Sequence, residues 1–445
     1  MKEERPDPRT TIPPVNELAE QIRAACPELT LPHALSVRLA RLLAARLRRA
    51  NRGQVEVADL DAVIGPLRSP GPDRVINATG ILLHTNQGRS PLDRDTVLAA
   101  LDDVAGYTNL EMNLTTGKRG HRDMHFATLA RLVWDAEDAT LVNNAAAGVA
   151  LALTAMGSGG ETVVSRGELI EIGGSFRIPD IMTLAGTKLV EVGTTNKTYA
   201  EDYSKAITPN TACFLKTHTS NYRIEGFTSA VTINELTKLG RQHQVPVIMD
   251  LGSGLSESLT FPKVSEPFIE DYLKAKPDLL IFSGDKLFGG VQAGIILGTK
   301  AAIQKLRKHP MMRMLRCDKL SIGIVCHQLA RTVTLKRNPF ADLAVTKLDD
   351  LKARAQKISD AVPALGLAIT EDKGFIGGGS LPQEARPSVS LSCAPAKPDV
   401  LARRLRLGTP PVVGYIREEK LIFNLASIFP EEDAALIEAL QAALA

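Results

Sequence analysis

FSGDKLFGGVQAG, residues 282–294, decides the fold. It continues the apolar run DLLIF (278–282), passes through a short polar turn carrying Lys286, and then becomes glycine-rich before GIILG (294–298). An apolar run of this length bounded by turn residues reads as a buried strand. Lys286 therefore emerges from a strand end into a glycine-lined space. Outward from this stretch the pattern repeats, with ATLVNN (139–144), ETVVSRG, KLVEVG, ACFLKTH and PVIMD (246–250) separated by helical stretches. Strands alternating with helices predict a mostly parallel sheet covered on both faces, an α/β architecture.

Several strand ends carry groups with chemistry. Asp250 closes PVIMD, Ser283 lies three residues before Lys286, and Asn143 and Asn144 close ATLVNN. AAAGVA follows from Ala145 and opens a helix whose first amides suit an anion. A lysine able to form a Schiff base, an acid to keep a pyridine nitrogen protonated and a helix N-terminus for a phosphate are what pyridoxal phosphate (PLP) requires. Each element alone has a plain structural alternative: SGDK as a surface turn, the acid before LGSG as a turn cap. Their order, phosphate helix, then acid, then lysine, follows the layout of fold-type I PLP enzymes, the aspartate aminotransferase-like class.

Composition narrows the class. The 445 residues are 44% hydrophobic, enough for two or three cores, and a formal charge of +3 gives no whole-protein field favouring nucleic acid. Five scattered cysteines with no CxxC pair predict reduced, mostly buried thiols, with neither a disulfide framework nor a metal site. The charged, proline-rich start has no apolar core and no stretch suits a membrane span, so the expected compartment is the cytoplasm. Residues 1–14 read as disordered and 15–65 as helical, and SPGPDR (69–74) reads as a linker. Three domains are expected: helical 1–68, large α/β 69–310 and a smaller α/β domain 311–445. In RLARLLAARLRRANR (38–52), six arginines occur with no acid. Arg38, Arg41, Arg48, Arg49 and Arg52 fall on one helical face, beside Leu39, Leu42, Leu43 and Leu47. That face is either a solvated arginine stripe or a phosphate-binding surface.

A longer set of motifs goes beyond a fold. INATGILLHTNQGRSPL (76–92), YTNLEMNLTTGKRGHR (107–122), VSRGELIEIGGSFRIPDIM (164–182), VEVGTTNKT (190–198), KTHTSNYRIEGF (216–227), FSGDKLFGGVQAG and GGGSLP (377–382) resemble bacterial selenocysteine synthases, the L-seryl-tRNA(Sec) selenium transferases. The resemblance implies conversion of L-seryl-tRNA(Sec) to L-selenocysteinyl-tRNA(Sec) with selenophosphate, through a PLP-bound dehydroalanyl intermediate, for selenoprotein synthesis. It implies Lys286 as Schiff-base former and general base. Asp250, Ser283, Asn144, Ala145 and His218 become the cofactor contacts, and Arg89, Arg313 and Arg316 the anion-binding arginines. Guanidinium forks suit a compact multivalent anion. Arg313 and Arg316 also read as a solvated helix face, and His218 as a packed or ring-stacking residue. His84 and Arg119 are weaker candidates. The family further implies that the N-terminal segment grips tRNA and that the chain forms a homodecamer, a pentamer of dimers.

Some positions depart from the family's pattern. Gln87, Ser90, His121 and Ala145 replace other residues, and LIFNLASIF (421–429) carries Asn424 and Ala426 where an acid and an arginine are usual. A related PLP ammonia-lyase acting on a small phosphorylated substrate, such as D-glucosaminate 6-phosphate, is the alternative reading. The helical segment 15–65 argues against it, because such relatives are shorter. An RNA-binding protein without catalysis is opposed by intact Lys286 and Asp250.

Overall fold

The computed structural model describes residues 11–172, 176–256, 268–334 and 338–444, without the side chains of 380–384. Residues 1–10 of the stretch expected to be disordered, 173–175 of the 164–182 motif and the side chains of 380–382 in GGGSLP therefore lie outside the description. Backbone contacts divide the chain into two units, Met1–Val75 and Ile76–Ala445.

The first unit is three helices, α1 (Val15–Ala25), α2 (His33–Ala50) and α3 (Val57–Arg68). Their apolar faces close on Leu18, Ile22, Leu39, Leu43, Leu47 and Ile64. The arginines of α2 divide by role. Arg46 and Arg52 turn toward α3 and bond the buried carboxylate of Asp59 at 2.8 and 3.1 Å. Arg38, Arg41, Arg48 and Arg49 stay exposed, as does Leu42 at 56%. The expected stripe thus keeps four cations on its outer face, while Arg52 is half-buried and turned onto Asp59.

The second unit is built on a seven-stranded sheet: β1 (Asp138–Val142), β2 (Glu161–Ser165), β3 (Lys188–Val192), β4 (Thr211–Thr217), β5 (Val247–Gly252), β6 (Leu279–Ser283) and β7 (Gly294–Gly298). The spatial order is β1-β7-β6-β5-β4-β2-β3, with every pairing parallel except those of β7. Alternation along the strands splits the core into two layers. Phe214, Val247, Leu280 and Phe282 pack on one face with Phe126 and Trp134. Leu215, Ile248, Ile281 and Ile296 pack on the other against the helix Ala145–Gly157. Both faces are covered, which is why the strands read as continuous apolar runs. The order and the crossover helices are those of the expected fold-type I architecture.

A five-stranded sheet forms the C-terminal part, and it recruits Ile81–Leu83 from far upstream, paired in parallel with Phe375 and Gly377. This pairing brings HTNQGR to the main sheet: the amide of Ser90 bonds the carbonyl of Asp285 at 3.2 Å. Among the described residues all five cysteines are free, with four buried, and no group of His, Cys, Asp and Glu could hold a metal. No described helix is long and apolar enough to cross a membrane.

Candidate active site

The carboxyl ends of β1, β6, β5 and β4 are adjacent enough in the sheet to bring the sequence candidates to one edge, where ligands of open α/β sheets bind. Residues 281–290 are buried throughout, so SGDK is not a surface turn. The turn is closed by backbone bonds, Gly284 N–H to Ala293, Gly290 N–H to Gly284 and Gly289 N–H to Lys286, which hold the lysine in place. Lys286 is 7% exposed and Asp250, at the end of the neighbouring strand, 5%. Burial pushes the Asp250 carboxyl up to about 6, against the opposing pull of the Lys286 amine, the Gly252 amide and His218. His218 sits just past β4, its backbone N–H donating to the Asp250 carbonyl at 2.8 Å.

Across the edge, Asn144 caps the helix Ala145–Gly157 by accepting from the Ala147 amide at 2.8 Å. The first amides of a helix have no acceptor within it. Ala145 therefore contributes backbone, which makes its replacement of an asparagine side chain tolerable. Gly294 lets this seat form, because a Cβ there would lie 2.2 Å from the Asn144 carbonyl oxygen.

Arg313 and Arg316 are strapped beside the same seat. The Asn143 amide donates to the Leu315 carbonyl at 2.8 Å, and Arg316 forms an isolated bridge with Val142. Both arginines line a cavity of about 460 Å³ with Arg119, Arg122, Arg307 and Lys308, against the carboxylates of Glu111 and Asp123. Arg119 and Arg122 bond Glu111 at 2.7 and 2.9 Å, holding its carboxyl below the usual range. Arg316 reaches the same carboxylate at 3.7 Å. Arg313 and Arg316 are themselves exposed, and the surplus of guanidinium groups over carboxylates around them suits an anion. Arg122, Arg307 and Glu111 went unnoticed in the sequence, although GKRGHR concentrates charge within the 107–122 motif.

Arg89 is not in that cavity. It lines a separate one of about 350 Å³ with Thr85, Asp285 and Gln292. Its Nη1 donates to Asp285 Oδ2 at 2.6 Å, while Ser283 Oγ donates to Asp285 Oδ1 at 2.6 Å. Asp285 thus joins two predicted residues, and the signal for it was simply its place beside Lys286. In the same turn His84 Nδ1 and both amide atoms of Gln87 are buried without a partner among the described residues. Burial lowers the pKa of His84, which favours a neutral ring.

These residues fit pyridoxal phosphate. A buried carboxylate that resists ionisation lacks a cation as close as a pyridinium N–H, and that ring supplies one. Ser220 Oγ, buried beside Gly252, has no partner among the described residues and is a further polar atom available to a ligand. Helix amides offer neutral donors for a phosphate. The departures at 424 and 426 are structural. Asn424 Oδ1 accepts from Ser388 Oγ at 2.6 Å and the Ala426 amide at 3.0 Å, and its Nδ2 donates to the Lys373 carbonyl at 3.0 Å. Ala426 is buried against Gly374, with no room for a long side chain in this arrangement.

Comparison with known proteins identifies the fold and the family. D-glucosaminate-6-phosphate ammonia-lyase superposes with a TM-score of 0.59 at 18% identity, covering 84% of this chain and 97% of that one, a likeness of fold. The L-seryl-tRNA(Sec) selenium transferase of Aquifex aeolicus is 39% identical over 97% of both chains. That of Moorella thermoacetica is 42% identical over 83% of this chain and 81% of its own. The family model for L-seryl-tRNA selenium transferase matches residues 75–429, which span the sheet, Lys286 and both arginine cavities. The chain belongs to the L-seryl-tRNA selenium transferase family.

Proposed function

We propose that this chain converts L-seryl-tRNA(Sec) to L-selenocysteinyl-tRNA(Sec) with selenophosphate, and that Lys286, Asp250 and the anion cavity of Arg313 and Arg316 carry the reaction. The observation that carries it is the buried Lys286–Asp250 pair facing a capped helix N-terminus, beside a cavity rich in guanidinium groups. Bound pyridoxal phosphate supplies an electron sink for charge developing at the serine Cα.

The chain's own groups do the rest. Asp250 would hold the ring nitrogen's proton by offering a carboxylate where water cannot compete, and the amides after Asn144 would hold the cofactor phosphate, whereas the expected phosphate donor Ser283 gives its one hydroxyl hydrogen to Asp285 at 2.6 Å. His218, whose backbone N–H donates to the Asp250 carbonyl at 2.8 Å, would pack against the ring. Lys286 anchors the cofactor before substrate arrives, then takes the Cα proton as general base. The serine Cβ–O bond breaks and the hydroxyl leaves as water after gaining a proton. Arg313 and Arg316 would orient selenophosphate so that selenium forms the new bond to Cβ while Cα regains a proton by way of Lys286, and the P–Se bond is then cleaved by water to release phosphate. Arg89 and Asp285 position the turn that carries Lys286.

The exposed arginines of α2 support a role for the N-terminal unit in holding tRNA phosphates. Homo-oligomerisation, as a pentamer of dimers, and a cytoplasmic setting complete the reading. Incubating the purified protein with seryl-tRNA(Sec) and selenophosphate, then identifying the esterified amino acid, tests it. Unchanged serine, together with turnover of a small phosphorylated amino acid, sinks it in favour of the lyase.

A further inference from the structure

The carboxyl edge of the main sheet holds one more cavity, of about 300 Å³, beyond the groups already assigned. It lies outside the ends of β2, β3 and β4 and shares His218 with the cofactor region. Its chemistry differs from that of the arginine cavity. Hydroxyls line it, among them Thr195, Thr219 and Thr228, while those of Ser165 and Thr198 are buried in its wall and bond each other at 2.7 Å. Its one buried charge pair is internally matched, Lys216 Nζ to Glu168 Oε1 at 2.6 Å. Among the described residues no guanidinium group lines it, so the lining favours a neutral, hydroxyl-bearing group over a small multivalent anion.

The rim is rigid and aromatic. Asn196 Nδ2 donates to the Phe227 carbonyl at 2.7 Å, the Ser229 amide to Asn196 at 3.0 Å and the Thr198 amide to Ser229 at 2.9 Å, lacing the segments 194–198 and 227–229 together. These bonds present Phe227, adjacent in the chain to Thr228, with 89% of its surface exposed. A large aromatic left in solvent on a braced loop next to a polar cavity has the form of a stacking platform for a base. The volume is at the lower end of small-molecule sites, about 300 Å³.

Resting on the proposed function, we infer that this cavity receives the terminal nucleoside of seryl-tRNA, its ribose among the hydroxyls and its adenine on Phe227. The seryl group is esterified to that ribose, so the nucleoside must lie one ester linkage from the place where Lys286 meets Cα. Among the described cavities, the one around Arg313 suits the selenium donor and the one around Arg89 is lined by the Arg89–Asp285 ion pair. The hydroxyl-lined cavity beyond His218 suits the nucleoside better than either.

Equilibrium dialysis of the cofactor-loaded full chain with radiolabelled 3′-(L-serylamido)-3′-deoxyadenosine, a non-hydrolysable mimic of the acylated end, tests this. Phe227→Ala and Thr195→Trp, both at exposed positions, should each weaken its binding roughly tenfold, in line with the worth of base stacking. Phe227→Tyr should bind as the wild type, and L-serine methyl ester should bind all four proteins alike. Failure of the wild type to bind the mimic, wild-type affinity in both Phe227→Ala and Thr195→Trp, or equal weakening of the methyl ester overturns the inference. Dialysis reads binding without turnover, so its failure is distinguishable from failure of the selenium transfer itself.

Discussion

Replacing Asp250 by asparagine should remove a specific pH dependence from the cofactor-free protein. The Asp250 carboxyl titrates near 6 in the fold, against 3.8 for an ordinary aspartate, because burial disfavours its charge more than Lys286, Gly252 and His218 favour it. The sign follows from the raised value: the group's stabilising protonation is fully present below the unfolded pKa and is lost as pH rises through the folded one. At 1.36 kcal/mol per unit, the full span is about 3 kcal/mol. Integrating between pH 5 and pH 7 leaves about 1.3 kcal/mol of it in the accessible window. Cofactor-free wild type should therefore lose stability relative to Asp250→Asn over that window, read as diverging melting temperatures in calorimetric scans at matched buffer and protein concentration. The offset between the two proteins carries other effects of the amide, but the slope isolates the titration. With cofactor bound the order should reverse at pH 7, since the ionised carboxylate then has its ring nitrogen partner. Parallel melting curves for the two cofactor-free proteins between pH 5 and pH 7 would refute the account of Asp250.

Lys286→Ala should abolish the visible absorbance of lysine-bound pyridoxal phosphate, and a persisting band contradicts its anchoring role. Arg313→Ala and Arg316→Ala should each raise the selenophosphate KM on the order of tenfold to a hundredfold, the worth of one charge-assisted hydrogen bond, with the cofactor spectrum unchanged. A loss of cofactor instead assigns these arginines to its phosphate. Replacing Arg41, Arg48 and Arg49 by glutamine should weaken tRNA binding and flatten the plot of log affinity against log salt by up to roughly 0.9 per lost phosphate contact. An unchanged slope in filter binding removes α2 from the RNA surface.

The fold was legible because strands covered on both faces carry an unmistakable pattern: β5, β6 and β7 are mostly apolar runs, with Asp250 near the end of β5 and Lys286 in the turn after β6. The groups at those strand ends were legible for the same reason, since a strand's last residue is fixed by its neighbours in the sheet. What depended on distant contact was not. Nothing in INATGILLHTNQGR announces that Ile81–Leu83 will pair with Phe375 and Gly377 some 290 residues on. Without that pairing, Arg89 cannot be placed on Asp285. Glu111 was equally silent, because its role comes from Arg119 and Arg122 folding back on it. On α2, helical periodicity grouped Arg52 with the exposed cations. The buried carboxylate of Asp59, on the next helix, claims it instead.

On the proposed function, the site has to hold two phosphate-like anions close together without letting either take the other's place. Its solution is chemical as well as spatial. The cofactor phosphate is assigned to the amides after Asn144, a neutral seat whose attraction comes from aligned dipoles and fixed directions. Selenophosphate is assigned to Arg313 and Arg316, full charges whose pull on a free multivalent anion is stronger and longer in range. One backbone bond, from the Asn143 amide to the Leu315 carbonyl, keeps the two seats in register. The covalent hold of Lys286 lets the cofactor persist on the weaker seat while the donor, which must enter and leave at every turnover, uses the stronger one. Weakening that strap should therefore be felt first as confusion between the two anions: inorganic phosphate should compete with the cofactor at concentrations the intact enzyme tolerates. Replacing Pro310 by glycine, at the start of the helix Met311–Leu315, loosens the strap while leaving every charged group of the two seats in place, although Pro310 itself lines the arginine cavity. The measurement is cofactor retention during dialysis against rising phosphate, and identical retention in the variant and the wild type would show that the strap has no such part.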